Sequence, residues 1–262
     1  MELKVVLQFC IVVTSLQFTV VHCLPTIEMD SGLDNLIRSH NVLVNESVVE
    51  FMRRREKGPI HLGTNRQIPY YISDQFDETE QSKIKYAIER FNHLTCLEFV
   101  PLKNYYGQDF VLFRKMDSCV CSCQLGRQKG RATKLSLGAC CLGDQYEKAV
   151  LHEMMHAIGF YHEQRRYDRD EWVKIHYDNI DPDLEHNFDI RELTVMDDTE
   201  KDFITSTKYD YCSIMHYWAT AASKPEGSIT IERKYQYPKC KMGTATTFSK
   251  YDLEKIKKRY NC

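Results

Sequence analysis

Little in the 262-residue sequence is in excess. Glycine (11) and proline (7) are scarce, which excludes collagen-like and Pro/Gly-rich low-complexity chains. Lys and Arg number 35 against 37 Asp and Glu, and the net charge of −2 leaves no broad positive field for nucleic acid or an acidic membrane surface. No internal repeat is present. The one long apolar run, Val5 to Val21, is interrupted by Gln8, Thr14, Ser15, Gln17 and Thr19. It falls short of the ~20 apolar residues of a membrane span. No later segment resembles one. With 43% hydrophobic and 27% charged residues, the expectation is one sizeable globular domain rather than a disordered chain.

What the chain does have is cysteine. Eleven Cys is high for a reducing compartment and points to a secreted, disulfide-bonded protein. Lys4 before the apolar run and Leu24-Pro25 after it read as a signal peptide over 1–23, cleaved near Cys23. Residues 24–55 read as a pro-segment. They are weakly periodic, contain no Cys, carry the sequon Asn45-Glu46-Ser47 of a glycoprotein, and end in the basic cluster Arg53-Arg54-Arg55 before Gly58-Pro59. Such an exposed, charged stretch suits an activating protease. The remaining domain is 56–262.

In that domain Ile68 to Ile72 reads as a strand. Asp77 with Glu80 forms a capping box for a helix whose Ile84, Ile88, Phe91 and Leu94 share a face. Leu97 to Val100, Phe110 to Phe113 and Leu135 to Leu137 read as strands separated by Gly-, Asn- and Cys-bearing turns. A second helix is predicted from about Gln145 to Ile158. After a polar, irregular stretch, Ser249 with Asp252 caps a last helix carrying Leu253, Ile256 and Tyr260. The fold class is α+β: a mixed lobe, a central helix, then a loop-rich lobe closed by a terminal helix.

The central helix reads His152-Glu153-Met154-Met155-His156-Ala157-Ile158-Gly159-Phe160-Tyr161-His162. Histidines four apart sit one turn above each other, so both imidazoles reach one metal ion. Gly159 can adopt a left-handed conformation and turn the chain, bringing His162 to the same point. Three nitrogens leave a fourth position for water, as in an open catalytic zinc site. Glu153, about 100° around the helix from His152, flanks the metal and can take a proton from its water. Downstream, Ser213-Ile214-Met215-His216-Tyr217 places a methionine where a tight turn would floor the site, as in metzincins.

These blocks, with Glu163-Gln164, Asp168-Arg169-Asp170-Glu171-Trp172-Val173 and Tyr209-Asp210-Tyr211-Cys212, resemble the astacin family of secreted zinc endopeptidases. The resemblance extends to Ile68-Pro69-Tyr70, Thr95 to Pro101, Met242-Gly243, Phe248-Ser249 and Asn261-Cys262. Glu163 fits astacins, where an Asp would look like an adamalysin. The resemblance implies a two-lobed metzincin fold, with a twisted, mostly parallel sheet and two helices in the N-terminal lobe. It also implies an irregular C-terminal lobe with a terminal helix, and an edge strand that holds an extended polypeptide substrate. It implies one Zn2+ per chain on His152, His156 and His162, with Glu153 as general base and Tyr217 as oxyanion donor and resting fifth ligand. It places Glu163 against the N-terminus freed by activation. A non-catalytic, zinc-stabilised binding protein using the same cleft is the alternative, weakened because Glu153 and all three histidines are kept.

The chain departs from the family pattern in three places. No Phe-x-Gly-Asp stands between Leu24 and Arg55; because the segment has no Cys, any inhibitory ligand there is a carboxylate or His40, and Asp30 and Asp34, flanking Gly32, are either such a plug or part of a polar turn. The link from Leu142 to Lys148 is longer than usual. Gly243-Thr244-Ala245 replaces a common Gly-Gln-Arg. The resemblance pairs Cys96 with Cys262. A further bridge is expected between the Cys119, Cys121, Cys123 group and Cys140 or Cys141, Cys212 can pair with Cys240, and the odd count after the signal leaves a thiol over.

Overall fold

The computed structural model describes the backbone of residues 10–15 and 18–23, and then residues 66–103, 109–128, 130–190, 203–204, 206–236 and 240–262. The segment read as a pro-segment, with Asp30, Asp34, His40, Asn45 and Arg53 to Arg55, lies outside them. Backbone contacts divide the chain into two units, Met1–Gly58 and Pro59–Cys262. In the first, β1 (Cys10–Ser15) and β2 (Phe18–Cys23), the run read as a signal peptide, pair antiparallel with Ser15 opposite Phe18. Among the described residues no helix is long and apolar enough to cross a membrane.

The second unit opens with β3 (Gln67–Ile72) and α1 (Glu78–Leu94). The capping box forms as the sequence predicts: Glu80 N–H donates to Asp77 Oδ1 at 2.8 Å and Asp77 N–H to Glu80 Oε2 at 2.9 Å. Ile84, Ala87, Ile88 and Phe91 are the buried stripe. The strands β4 (Glu98–Pro101), β5 (Val111–Met116), β6 (Cys121–Cys123) and β7 (Thr133–Gly138) complete a five-stranded sheet in the order β4-β3-β5-β7-β6. All pairs are parallel except β6 with β7. The stretch read as a Cys-bearing turn thus holds an edge strand, three residues long and too short to show a period. Cys119–Cys140 and Cys121–Cys141 tie it to the end of β7.

Next comes α2 (Tyr146–Ala157), within a residue of its predicted span at each end. Its N-cap, Gln145, makes no side-chain capping bond; a 3-10 turn at Ala139–Leu142 leads into the long link, whose last residues, Tyr146 to Lys148, already belong to the helix. Beneath, β8 (Val173–Ile175) and β9 (Ile231–Arg233) form a small antiparallel ribbon that sequence periodicity does not reveal.

Two buried clusters underlie the two lobes. One joins the sheet and both helices, with Phe91, Phe113, Leu135, Leu151 and Met154 at its centre. The other gathers Val173, Ile180, Phe188, Tyr209, Tyr211 and Ile231. The last helix, α3 (Lys250–Arg259), is capped by Ser249 with Asp252 and sends Ile256 into the first cluster. Cys96–Cys262 fastens its end to the residue after α1's C-cap. On a chain-entropy basis, closing so long a loop stabilises by about 5 kcal/mol.

Candidate active site

His152 and His156 project from successive turns of α2. The helix stops because Gly159 takes φ +89°, a left-handed conformation costly for any residue with a Cβ. Gly159 N–H closes onto His156 O at 2.8 Å and Phe160 N–H onto Met155 O at 3.0 Å, and the chain returns with His162. The Nε2 of His162 then stands 3.1 Å from that of His152 and 3.2 Å from that of His156.

The outer nitrogens fix the protonation pattern. His152 Nδ1–H donates to Ile214 O at 2.8 Å and His156 Nδ1–H to Phe160 O at 2.7 Å, and a carbonyl can only accept. In neutral rings, both Nε2 atoms are therefore bare lone pairs aimed at His162. Burial keeps the rings neutral: it lowers the pKa of all three, that of His156 to about 3. A proton on His162 Nε2 could serve only one neighbour. A single divalent cation would satisfy all three, and the donor set suits zinc.

Glu153, 5% exposed, has an Oε2 with no hydrogen-bond partner among the described residues, and burial pushes its carboxyl up to about 8. A buried, unpartnered carboxyl beside converging imidazoles is suited to receiving a proton from a bound water. The ring of Tyr217 lies 4.6 Å from that of His162 and meets Phe188 edge-on at 5.9 Å. Its N–H donates to Gln164 Oε1 at 3.3 Å, which fixes the backbone from which the phenol projects. Met215 is buried in the turn before it, where His216 N–H donates to Ser213 O at 3.1 Å.

In the sequence Asp252 reads only as a helix cap. In the structure its Oδ2 accepts Ile214 N–H at 2.9 Å and its Oδ1 accepts Ser213 O–H at 2.6 Å, so α3 supports the turn whose carbonyl holds His152. No sequence signal links residues so far apart. Tyr209 likewise carries no role of its own in the sequence motifs, yet its O–H donates to His216 Nε2 at 2.8 Å.

The edge strand runs beside the helix. Gly126 N–H, just after β6, donates to His156 O at 2.9 Å. Val120 O accepts from Gly138, Ser122 opposes Ser136, and Gln124 N–H donates to Lys134 O, all on the β7 side. By antiparallel alternation, the peptide groups of Cys121 and Cys123 face the open side.

A family model described as Astacin, a peptidase family, matches residues 56–261. The chain belongs to the astacin family. This astacin is 40% identical over 198 residues to zinc metalloproteinase nas-8 of Steinernema carpocapsae, covering 76% of this chain and 44% of that protein. It is 35% identical over 196 residues to meprin A subunit alpha of Mus musculus, covering 74% of this chain and 24% of that one. It thus spans less than half the length of these relatives. Among solved structures it resembles high choriolytic enzyme 1, a hatching enzyme zinc-protease from the medaka Oryzias latipes. That match has a TM-score of 0.65 and 34% identity, covering 76% of this chain and 92% of that one. The two-lobed α+β fold implied by the sequence is the fold of this match.

Proposed function

We propose that the chain is a secreted zinc endopeptidase, hydrolysing internal bonds of extended polypeptides. The observation that carries this is the convergence of three neutral Nε2 atoms, two with Nδ1 locked to a carbonyl, beside the bare Oε2 of Glu153. His152, His156 and His162 would hold one Zn2+, which supplies Lewis-acid polarisation and acidifies water. Glu153 takes the proton of the attacking water and passes it to the departing amine. Tyr217 donates its phenolic proton in a hydrogen bond to the oxygen on which charge develops. The open edge of β6 pairs with the substrate backbone, which keeps the scissile bond extended and in register.

The N-terminal region completes the proposal. Residues 1–23 direct secretion, 24–55 form a pro-segment that Asp30 or Asp34 could anchor in the cleft, and a protease cuts within or after Arg53-Arg54-Arg55. The zinc-peptidase reading is tested by casein zymography of the processed chain with and without chelator, alongside metal analysis. One zinc per chain and chelator-sensitive clearing are expected; clearing that survives complete metal removal would overturn it. Changing the basic cluster to Ala should leave a stable, inactive precursor, and a fully active one would remove the latency role.

A further inference from the structure

Of the chain's two tryptophans, Trp172 packs against the second buried cluster, stacked on Tyr209 at 5.8 Å between ring centroids. Trp218 does the opposite. It follows Tyr217 directly and is 54% exposed, with its ring 6.2 Å from that of Tyr217 and inclined to it by 31°. Phe188, Tyr217 and Trp218 form a row of rings beside His162, the first buried, the second half-buried and the third open to solvent.

A lone exposed aromatic is ordinary on a protein surface. What distinguishes this one is how firmly its backbone is held. Trp218 O accepts Ala221 N–H at 3.1 Å, and Ala219 O accepts Thr230 N–H at 2.8 Å and Ile231 N–H at 3.0 Å. On another side lies Gly243, packed so closely that a Cβ there would meet the nitrogen, Cα and Cβ of Trp218. Gly243 O in turn accepts from Lys148 Nζ at 2.7 Å, and Lys148 stands on α2 one turn before His152. The helix that carries two of the histidines therefore also fixes the support of the indole. An aromatic ring has only two torsions to lose, so an open ring on a held backbone is covered by a ligand at little entropic cost.

We propose that Trp218 is a specificity-determining residue, a pre-set platform on which an aromatic side chain of the substrate, within three residues of the scissile bond, stacks. An extended chain advances about 3.3 Å per residue, so a ring 6.2 Å from that of the oxyanion donor lies some two residues from the bond being cut. Offset or edge-on stacking against the indole rewards an aromatic partner beyond the area it buries. A substrate cation is the poorer occupant. Lys148 already stands behind the platform, and the charge of Arg165 reaches the Tyr217 phenol and lowers its pKa against the effect of burial, so an incoming ammonium meets like charge. The activity arm of this inference rests on the peptidase reading above.

The test uses the processed, zinc-loaded chain and short Ala-Ser peptides in which one Phe, or one Lys, is scanned through the central positions. Phe at one position should raise kcat/KM about tenfold over the parent peptide. Trp218→Ala should cut that gain to within about twofold, and Trp218→Phe should keep part of it. A gain that survives Trp218→Ala, or no gain for Phe at any position, overturns the proposal. A Trp218-dependent gain for Lys in place of Phe also overturns it, since the indole then serves a cation. A second arm needs no turnover. In Glu153→Gln, a Phe peptide should shift the indole emission to the blue and protect it from acrylamide, while the parent does neither; emission unchanged by every Phe peptide overturns the platform. If Trp218→Ala does not fold, this titration of the unaltered indole decides alone. If no peptide is hydrolysed, the peptidase reading fails, while the emission still decides this one.

Discussion

Asp252 and His152 are joined through a single residue: Ile214 gives its N–H to the carboxylate at 2.9 Å and its carbonyl to the imidazole Nδ1–H at 2.8 Å. The last helix of the chain thereby sets the orientation of a side chain a hundred residues earlier. Two substitutions separate charge from hydrogen bonding here. In Asp252→Asn, the carbonyl oxygen can keep accepting Ile214 and Ser249 N–H while the amide faces a Ser213 lone pair. Asp252→Ala strands three buried donors at about 1–3 kcal/mol each. The Ala variant should lose at least about 3 kcal/mol and retain zinc poorly, and the Asn variant should do neither at neutral pH, as read by denaturant unfolding and metal analysis.

The same carboxyl makes a pH prediction. Burial raises Asp252 from 3.8 to about 6. Between those values the folded chain holds its proton more tightly than the unfolded one, so this group's contribution to stability falls as pH rises through the window. The slope is up to about 1.4 kcal/mol per pH unit. Unfolding curves at half-unit steps should show wild type losing stability, relative to Asp252→Asn, from about pH 4 to about pH 6, and then running parallel above it. Parallel curves throughout would mean that Asp252 is ionised across the window.

Glu153→Gln should keep zinc, fold and KM while lowering kcat by about 10²–10⁴-fold, because in the proposed mechanism the side chain moves protons without being one of the three converging donors. Near-native turnover would remove it from the mechanism.

Tyr217→Phe should cost about 2.7–4 kcal/mol in kcat, the worth of one oxyanion donor, and leave zinc content unchanged. A loss confined to KM would assign the phenol to ground-state binding instead.

Among the described residues Cys123 is the free cysteine, beside four bridges, and burial pushes its thiol well above the ordinary value. Alkylation of the processed chain without reductant should therefore be slow in the native state. It should mark Cys123 alone after unfolding in guanidinium, as read by peptide mapping. Label on Cys96 or Cys262 would contradict the connectivity.

Gly243 takes φ +72°, and a Cβ there would run into the backbone nitrogen and Cα of Trp218. Those atoms belong to the residue after Tyr217. Gly243→Ala should destabilise by at least about 1–2 kcal/mol. It should also lower kcat by displacing the backbone beside the phenol, measurable as a joint fall in melting temperature and turnover.

What can be read in the sequence is local. The two capping boxes at Asp77 and Ser249 each join residues three apart, and the helix bearing His152 and His156 declares itself through spacing and Gly159. The pairing open among Cys119, Cys121, Cys123, Cys140 and Cys141 resolves only with the register of β6 on β7, which places Cys121 opposite Leu137. That strand has three residues, and β8 finds β9 across a long excursion, so neither has room for an alternating pattern. Lys255 belongs to none of the motifs read in the sequence. Its burial against Glu163 is a property of how α3 docks, which no window of residues contains.

The Cys96–Cys262 bridge has a bearing on self-digestion. It encloses nearly the whole histidine-bearing part of the chain in one covalent ring, with a sequence separation of 166. A single peptide bond cut anywhere inside that ring opens it without releasing either piece. Both lobes then stay tethered at high effective concentration and can re-pack. Molecules nicked within the ring would migrate at full size on a non-reducing gel, separating into fragments only when thiol is added, so such wear would be largely invisible until reduction.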